Sequence, residues 1–276
     1  MTGASHSSVK RYRELARKSP TNGLERELLL DGPHLLFEAH KSGLSIESAA
    51  FEQDAFSDPA IGTLAEHLVA DGAEVFIVSR KTLESMSPVR SPSGAVAIAR
   101  RTLPSLADAL ESKDALVVVA HDVQDPGNVG GIMRTAEAAG ATAFVATAST
   151  ADPLGWKALR GSMGSALRLP IARGEIGDVL RALRTADIET SALVPRAGRP
   201  LFDVDFRTPS ALILGSEGAG LPEDVLQQVD RRITIPMQQP VESLNVGVAA
   251  ALVLYEAFRQ RNGKAPQRLR TAFSPA

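Results

Sequence analysis

Cysteine is absent from the 276 residues, which excludes disulfide cross-links and any zinc or thiol chemistry built on cysteine, and fits a reducing compartment. No membrane-crossing run is present either, since nowhere do about 18 successive apolar residues occur. The opening MTGASHSSVKRYRELARKS lacks the apolar core of a signal peptide, so the expected location is the cytoplasm. Neither sign of charge dominates: 30 Lys and Arg stand against 32 Asp and Glu, a formal charge of −2, and bulk charge therefore announces no polyanion binder. The five histidines are scattered and no His/Asp/Glu cluster has metal-ligand spacing, so no catalytic metal is expected.

What is present is the composition of an ordinary globular protein, 44% hydrophobic and 22% charged, long enough for two modest domains. Basic residues cluster near both ends: Lys10, Arg11, Arg13, Arg17 and Lys18, then Arg261, Lys264, Arg268 and Arg270. Such clusters either contact phosphates or are simply solvated. Residues 1–21 read as a basic, partly helical arm ending at Pro20. Residues 22–103 read as a small α/β unit, with strands near Glu27 to Leu30, Ile46 to Phe51, Glu74 to Ser79 (buried) and Gly94 to Arg101, and helices after Pro33 and over Ile61 to Ala70. Residues 104–114 are the expected linker or linking helix.

From Ala115 to about 262 strand and helix alternate. Strands are expected near Leu116 to Ala120, Ala143 to Ala146, Leu167 to Ile171, Glu189 to Val194, Ala211 to Leu214 and Arg232 to Ile235. Helices are expected near Gly130 to Ala139, Gly155 to Met163, Glu175 to Ala186, Pro222 to Val229 and Asn245 to Arg261. This alternation predicts a mostly parallel sheet covered on both faces. Residues 263–276 are expected to form a mobile tail.

Three stretches repeat one plan, an apolar strand, a turn carrying polar residues, and a helix: Ala115 to Gly140, Ala211 to Leu226 and Arg231 to Glu256. Turns of this kind leave backbone N–H groups free at helix starts, which is how α/β proteins build ligand sites. A dinucleotide fold is disfavoured because PGNVGG lacks the G-x-G-x-x-G spacing and no acidic residue ends the next strand. GSEGAGLP lacks the Gly-Lys-Ser/Thr of a phosphate-binding loop. Asp125 and Asn128 read as helix caps or as functional groups. Arg134 sits among Ile132, Met133, Ala136, Ala138 and Ala139, a place where a charge calls for a partner or an anion. The three glycines of Gly215 to Gly220 permit close approach of backbone to a ligand, with Glu217 among them, whereas Pro222, Glu223 and Asp224 make a helix start.

Taken together, DPGNVG with Arg134, GSEGAGLP, and IPM followed by ESLNV resemble, in order and spacing, the three signature motifs of the SpoU/TrmH family of RNA 2′-O-ribose methyltransferases, within the SPOUT superfamily. The resemblance implies a methyltransferase domain over residues 115–262 with a deep trefoil knot, a homodimer, S-adenosylmethionine as methyl donor, and RNA as substrate, ribosomal (23S) more readily than transfer RNA. It assigns catalytic roles to Asn128, Arg134, Glu217, Ser243 and Asn245, and donor contacts to Leu214, Gly215, Gly218, Ile235, Met237 and Leu244. Asn128 would orient Arg134, and Ser243 and Asn245 keep helix capping as an alternative role. WKALRGSMGSALRLP resembles the family's small-residue run, in which Arg160 and Arg168 would meet RNA phosphates, as would Arg134 of the first motif; the family more often has Ala where Gly161 stands. Trp156, the sole tryptophan, is a packing residue or a base-stacking platform. The N-terminal unit, from LLLDGPHLL to SPSGAVAIA, is similar to the ribosomal-protein-like RNA-binding domain that precedes many members. Two other readings stand beside this one: a non-catalytic binder of structured RNA, and a nucleotide-binding α/β enzyme of another class.

Overall fold

The computed structural model describes residues 7–17 and 23–263. They form two compact units that are not consecutive in sequence. One comprises the described residues up to Pro104 with Asp125–Arg134 and Ala151–Arg168; the other comprises Ser105–Gln124, Thr135–Thr150 and the described chain from Leu169.

The first unit is built on a four-stranded sheet of β1 (Glu25–Asp31), β2 (Ser45–Glu52), β3 (Glu74–Val78) and β4 (Ala95–Thr102), in the order β1-β4-β2-β3. β4 runs antiparallel to both its neighbours and β2 parallel to β3. Its helices are α1 (Ser7–Arg17), α2 (Pro33–Lys41), α3 (Pro59–Ala70) and α4 (Arg80–Met86). The turn from β1 into α2 needs Gly32, where φ is +97° and a Cβ would stand 2.7 Å from the Ser93 hydroxyl. β3 was expected to be buried, but only Val78 is, because the strand is at the sheet edge.

The expected basic arm is partly a core element. Val9, Tyr12 and Leu15 of α1 are buried in a cluster with Leu29, Ala50, Val96 and Ile98, and the Tyr12 hydroxyl meets Ser48 Oγ at 2.8 Å. Burial keeps that phenol protonated, its pKa pushed well above the usual value. Arg11 is held by the Glu27 and Glu47 carboxylates, and Arg13 Nε donates to the Ser85 carbonyl at 3.2 Å. An amphipathic helix explains this better than a phosphate-seeking tail: its apolar side docks, Arg11 is engaged by the sheet it covers and Arg13 by α4. Lys18, Lys264, Arg268 and Arg270 lie outside the described residues, as does the expected tail beyond 263.

Three further helical segments are α5 (Leu106–Ala109), in the expected linker, α6 (Pro126–Ala138) and α7 (Trp156–Ser162). α6 and α7 touch through backbone: a Cβ on Gly130 would stand 2.5 Å from the Ala158 carbonyl oxygen and 2.9 Å from Gly161 Cα, while one on Gly161 would have nothing nearer than 3.4 Å. β1 is tied to the approach to α7 by Arg26, whose side chain is 1% exposed and donates to Asp152 Oδ2 at 2.6 Å. The Arg26 Nε and Nη1 atoms find no hydrogen-bond partner. Arg101 donates to the Ala166 carbonyl, and burial lowers its pKa to about 10.

In the second unit β5 (Leu116–Ala120), β6 (Ala143–Thr147), β7 (Ile171–Gly174), β8 (Glu189–Leu193), β9 (Arg199–Pro200), β10 (Ser210–Leu214) and β11 (Arg231–Thr234) form one sheet in the order β7-β6-β5-β10-β8-β11-β9. Every neighbouring pair is parallel. All residues of β5, β6 and β10 are buried, as continuous apolar runs in a two-sided parallel sheet require. On one face Val117, Val119, Val145 and Ile213 pack with Val179, Leu180 and Leu183 of α9 (Ile176–Thr185).

Some boundaries differ from expectation. Leu167 to Ile171 was expected as a strand, but Ser165–Arg168 forms a short helix, α8, following α7, and the strand begins at Ile171. Left-handed Met163 and Gly164 end α7, and Ser162 Oγ accepts from Ala166 N at 3.2 Å to start the next turn. The helix after Pro222 is only Glu223–Leu226. The two-residue β9 was not foreseen. The last helix, α11, is Val246–Asn262, so Leu244 and Asn245 precede it instead of forming its first turn.

Arg261 was grouped with possible phosphate contacts, and its geometry excludes that. Its guanidinium donates to four backbone carbonyls, Phe206 at 2.7 Å, Asp114 and Thr208 at 2.8 Å, and Ala115 at 2.9 Å. Arg261→Ala leaves those acceptors without a shared donor and is expected to cost about 2 kcal/mol, read as a melting temperature lower by several degrees. Gly130→Ala is expected to destabilise by more than about 2 kcal/mol, because only backbone can yield there, while Gly161→Ala stays within about 1 kcal/mol. Thermal melts of the two variants check the contrast.

Candidate active site

A cavity of about 400 Å³ opens in the second unit where β10 and β11 end and the chain approaches α11. This size and place, outside the carboxyl ends of parallel strands, are those of ligand sites in open α/β sheets. Leu214 and Gly215 line it from the end of β10, Ile235 and Met237 from beyond β11, and Ser243 and Leu244 from the approach to α11. Glu217 and Gly218 line it from the glycine loop. Every residue expected to touch the donor is thus in one wall or another.

The loop after β10 folds back on itself. Ser216 and Gly220 exchange backbone hydrogen bonds of 3.2 and 3.1 Å, and Ala219 N donates to Ser216 Oγ at 3.3 Å. The closure leaves no room at Gly215, where a Cβ would stand 2.5 Å from the Gly220 carbonyl carbon and 2.6 Å from Leu221 N. At Gly218 a Cβ would meet nothing within 4 Å, so that backbone faces open space. Glu217 is exposed at the tip.

Asn245 is the N-cap of α11: its Oδ1 accepts from Gly247 N at 2.9 Å and Val248 N at 3.2 Å. It is not part of the cavity lining, although Ser243 and Val246 on either side are. Sequence reasoning missed the wall that follows β8, Leu193 to Ala197, together with Arg232. Its signal was the same as for the other walls, a strand running into the turn VPRAG at the same sheet edge. Arg196 Nη2 donates to Glu242 Oε1 at 3.2 Å, and Arg232 Nη2 to Glu223 Oε1 at 2.8 Å.

The remaining candidates belong to the first unit. Asp125 Oδ1 accepts from Gly127 N at 2.6 Å and Asn128 N at 3.1 Å, so Asp125 caps α6 and Asn128 lies in its first turn. Arg134 is exposed, contrary to the inference from its apolar neighbours: Ile132, Met133 and Ala136 are fully buried, and the helical rotation turns Arg134 to the opposite side. Arg160 lies 3.3 Å from Asp31 Oδ2, and Arg168 pairs with Glu38. Burial raises the Asp31 pKa against the opposing effects of the Ser87 hydroxyl and Arg160. Trp156 is half-buried, with Lys157 Nζ 5.4 Å from its ring centroid. Among the described residues no group of three His, Cys, Asp or Glu is placed to hold a metal ion, and no helix is long and apolar enough to cross a membrane.

Known proteins share this architecture. Residues 115–255 match the model of the SpoU rRNA Methylase family. A Synechocystis protein described as an uncharacterized tRNA/rRNA methyltransferase is 35% identical over 95% of this chain and 94% of its own length. The 23S rRNA (guanosine(2553)-2′-O)-methyltransferase RlmP of Bacillus subtilis is 28% identical over 91% of this chain and 96% of its own. The crystal structure of an AdoMet-bound rRNA methyltransferase from Sinorhizobium meliloti superposes with a TM-score of 0.82 at 27% identity, covering 94% of this chain and 97% of that one. The parallel sheet, the glycine loop after β10 and the motif that enters α11 are those of one family, and the chain belongs to the SpoU methyltransferases.

Proposed function

We propose that the chain transfers the methyl group of S-adenosylmethionine to a ribose 2′-hydroxyl of ribosomal RNA, 23S rRNA in particular, in the cytoplasm. The observation that carries this reading is the convergence of two of the three motif peptides: the glycine loop of the second, and the IPM and ESLNV segments of the third, at the end of β11 and the approach to α11, enclose one cavity. The residues fit the donor. Leu193, Leu214, Ile235 and Leu226 offer apolar walls to a nucleobase, and the missing side chain at Gly215 lets the backbone of Gly220 and Leu221 close against it to form the loop wall. The donor supplies a methyl group on a positively charged sulfur.

Ile235 and Leu244 clasp the adenine in this reading, Gly215 and Gly218 offer backbone, and Leu214 and Met237 close the apolar side. Glu217 and Ser243 stand at the polar part of the cavity, while Asn245 acts on them by fixing the start of α11. Asn128 orients Arg134, which holds the target phosphate and stabilises the alkoxide that develops at the ribose oxygen. A guanidinium does not release its proton near neutral pH, so Arg134 acts as a cation and not as a base. Residues 22–103 form the RNA-binding domain, 104–114 the linker and 115–262 the catalytic domain, with the ESLNV segment threading the family's trefoil knot. Arg160 and Arg168 add contacts to RNA once phosphate displaces Asp31 and Glu38.

The working form is a homodimer. Over Val246–Tyr255 α11 carries no charged side chain, yet Val248, Leu252 and Tyr255, one face at i, i+4, i+7 spacing, are exposed by 51%, 45% and 52%. A helix of that composition is normally covered. Leu252→Glu is expected to convert the dimer to a monomer in light-scattering chromatography; a wild-type monomer refutes the arrangement.

Mapping 2′-O-methyl nucleotides in total RNA with and without the gene is expected to show loss of one site in 23S rRNA. Loss in a transfer RNA indicates the transfer RNA alternative, and no loss leaves a structured-RNA binder. Arg134→Ala is expected to lower methyl transfer roughly 10²- to 10³-fold, and Arg134→Lys by an intermediate factor with RNA binding kept. A fully active lysine variant excludes any special role for the guanidinium.

A further inference from the structure

The cavity holds two cations that the signature motifs do not include, Arg196 and Arg232. We infer that Arg196 is the specificity residue that takes the α-carboxylate at the methionine end of the donor, leaving Glu242 to do so. This rests on the S-adenosylmethionine reading above.

The donor is not apolar throughout. Its amino-acid end brings a carboxylate, and a carboxylate enters a cavity at low cost only where a cation or several N–H donors receive it. Arg196 already makes such a bond: its Nη2 donates to Glu242 Oε1, a carboxylate oxygen, at 3.2 Å. The two side chains come from different loops, Arg196 from the turn after β8 and Glu242 from the approach to α11. Glu242 directly precedes Ser243, and Ser243 and Arg196 both line the cavity, so the guanidinium is tied to the loop that carries a residue assigned above to the reacting groups. The amino-acid end is bonded to the reacting sulfur and must lie near that part too.

The bond is one that exchanges easily. At 3.2 Å it is longer than the 2.7–2.9 Å typical of charge-assisted pairs. The side chains are 69% and 81% exposed, and pairs so exposed contribute little. Arg232 is the weaker candidate: its bond to Glu223 is 2.8 Å and its side chain is 39% exposed, so it is more firmly engaged with α10 (Glu223–Leu226). Arg196 offers a planar fork that can donate to both oxygens of a carboxylate, where it now donates to one of Glu242.

Calorimetric titration of the full-length protein with S-adenosylhomocysteine and with 5′-methylthioadenosine tests this, because both carry the nucleoside and the thioether but only the first carries the amino-acid end. Arg196→Ala is expected to weaken S-adenosylhomocysteine about tenfold and to leave 5′-methylthioadenosine within about twofold. Arg232→Ala is expected to leave the ratio of the two affinities unchanged. Equal weakening of both ligands by Arg196→Ala means that the pair only shapes the loops, and no weakening means that the carboxylate lies elsewhere; either overturns the inference while the cofactor reading stands. If the unaltered protein binds neither ligand, the cofactor reading itself fails and this inference with it.

Discussion

The cavity depends on a steric constraint at one residue. After β10 the chain turns so tightly that the backbone of Gly220 and Leu221 occupies the space a side chain on Gly215 would need. The backbone exchange between Ser216 and Gly220 then closes a small loop, and its tip, with Glu217, is turned into the cavity wall. Any other residue at 215 has to push backbone against backbone, which no rotamer change relieves. The parallel sheet supplies the rigid base: β10 is central, fully buried and paired on both sides, so the loop begins from a fixed point. The shape of the cavity here is a matter of loop closure on a stiff strand.

A comparable constraint acts between α6 and α7. Gly130 and Gly161 let the two helices meet at backbone distance, the closeness that small residues permit and larger ones forbid. The asymmetry between them accounts for the departure from the family pattern at 161. A Cβ there meets atoms at 3.4 Å and beyond, which is ordinary contact, so alanine and glycine are both admissible at 161 and only glycine at 130.

Much of the fold was legible because buried parallel strands are written as unbroken apolar runs. LVVVA, AFVAT and SALIL are short runs bounded by polar or turn residues, and a strand buried on both faces is their natural use. The cavity walls were legible for a related reason, since ligand sites gather where such strands end. What escaped was whatever depends on direction and not on spacing. Arg134 has apolar neighbours in sequence, but a helix turns each residue 100° from the last, and its side chain faces out while theirs face in. Arg261 looked like one of a basic group, and only the fold shows four carbonyls converging on it. The wall at Leu193 to Ala197 follows the same rule as the others and was passed over because its turn carries no signature motif.

The near-neutral charge is reconciled with an RNA substrate by the way the arginines are distributed. In the first unit Arg11, Arg26, Arg80, Arg100, Arg160 and Arg168 each face a carboxylate, so the sums of positive and negative charge nearly cancel without a cationic face being required. These pairs are of two kinds. Arg26 with Asp152 is buried, and breaking it would strand a charge, so it fixes structure. Arg160 and Arg168 are far more exposed than Arg26, although the Asp31 carboxylate that faces Arg160 is itself buried and rests also on the Ser87 hydroxyl; for these two arginines a phosphate offers more acceptor oxygens to the same fork than a carboxylate does. The strength of such an exchange comes from counterion release by the nucleic acid, which grows with the number of phosphates met. In the function proposed here, a few exchangeable arginines would direct RNA to one surface without a basic protein being needed, with the same carboxylates keeping that surface neutral when RNA is absent.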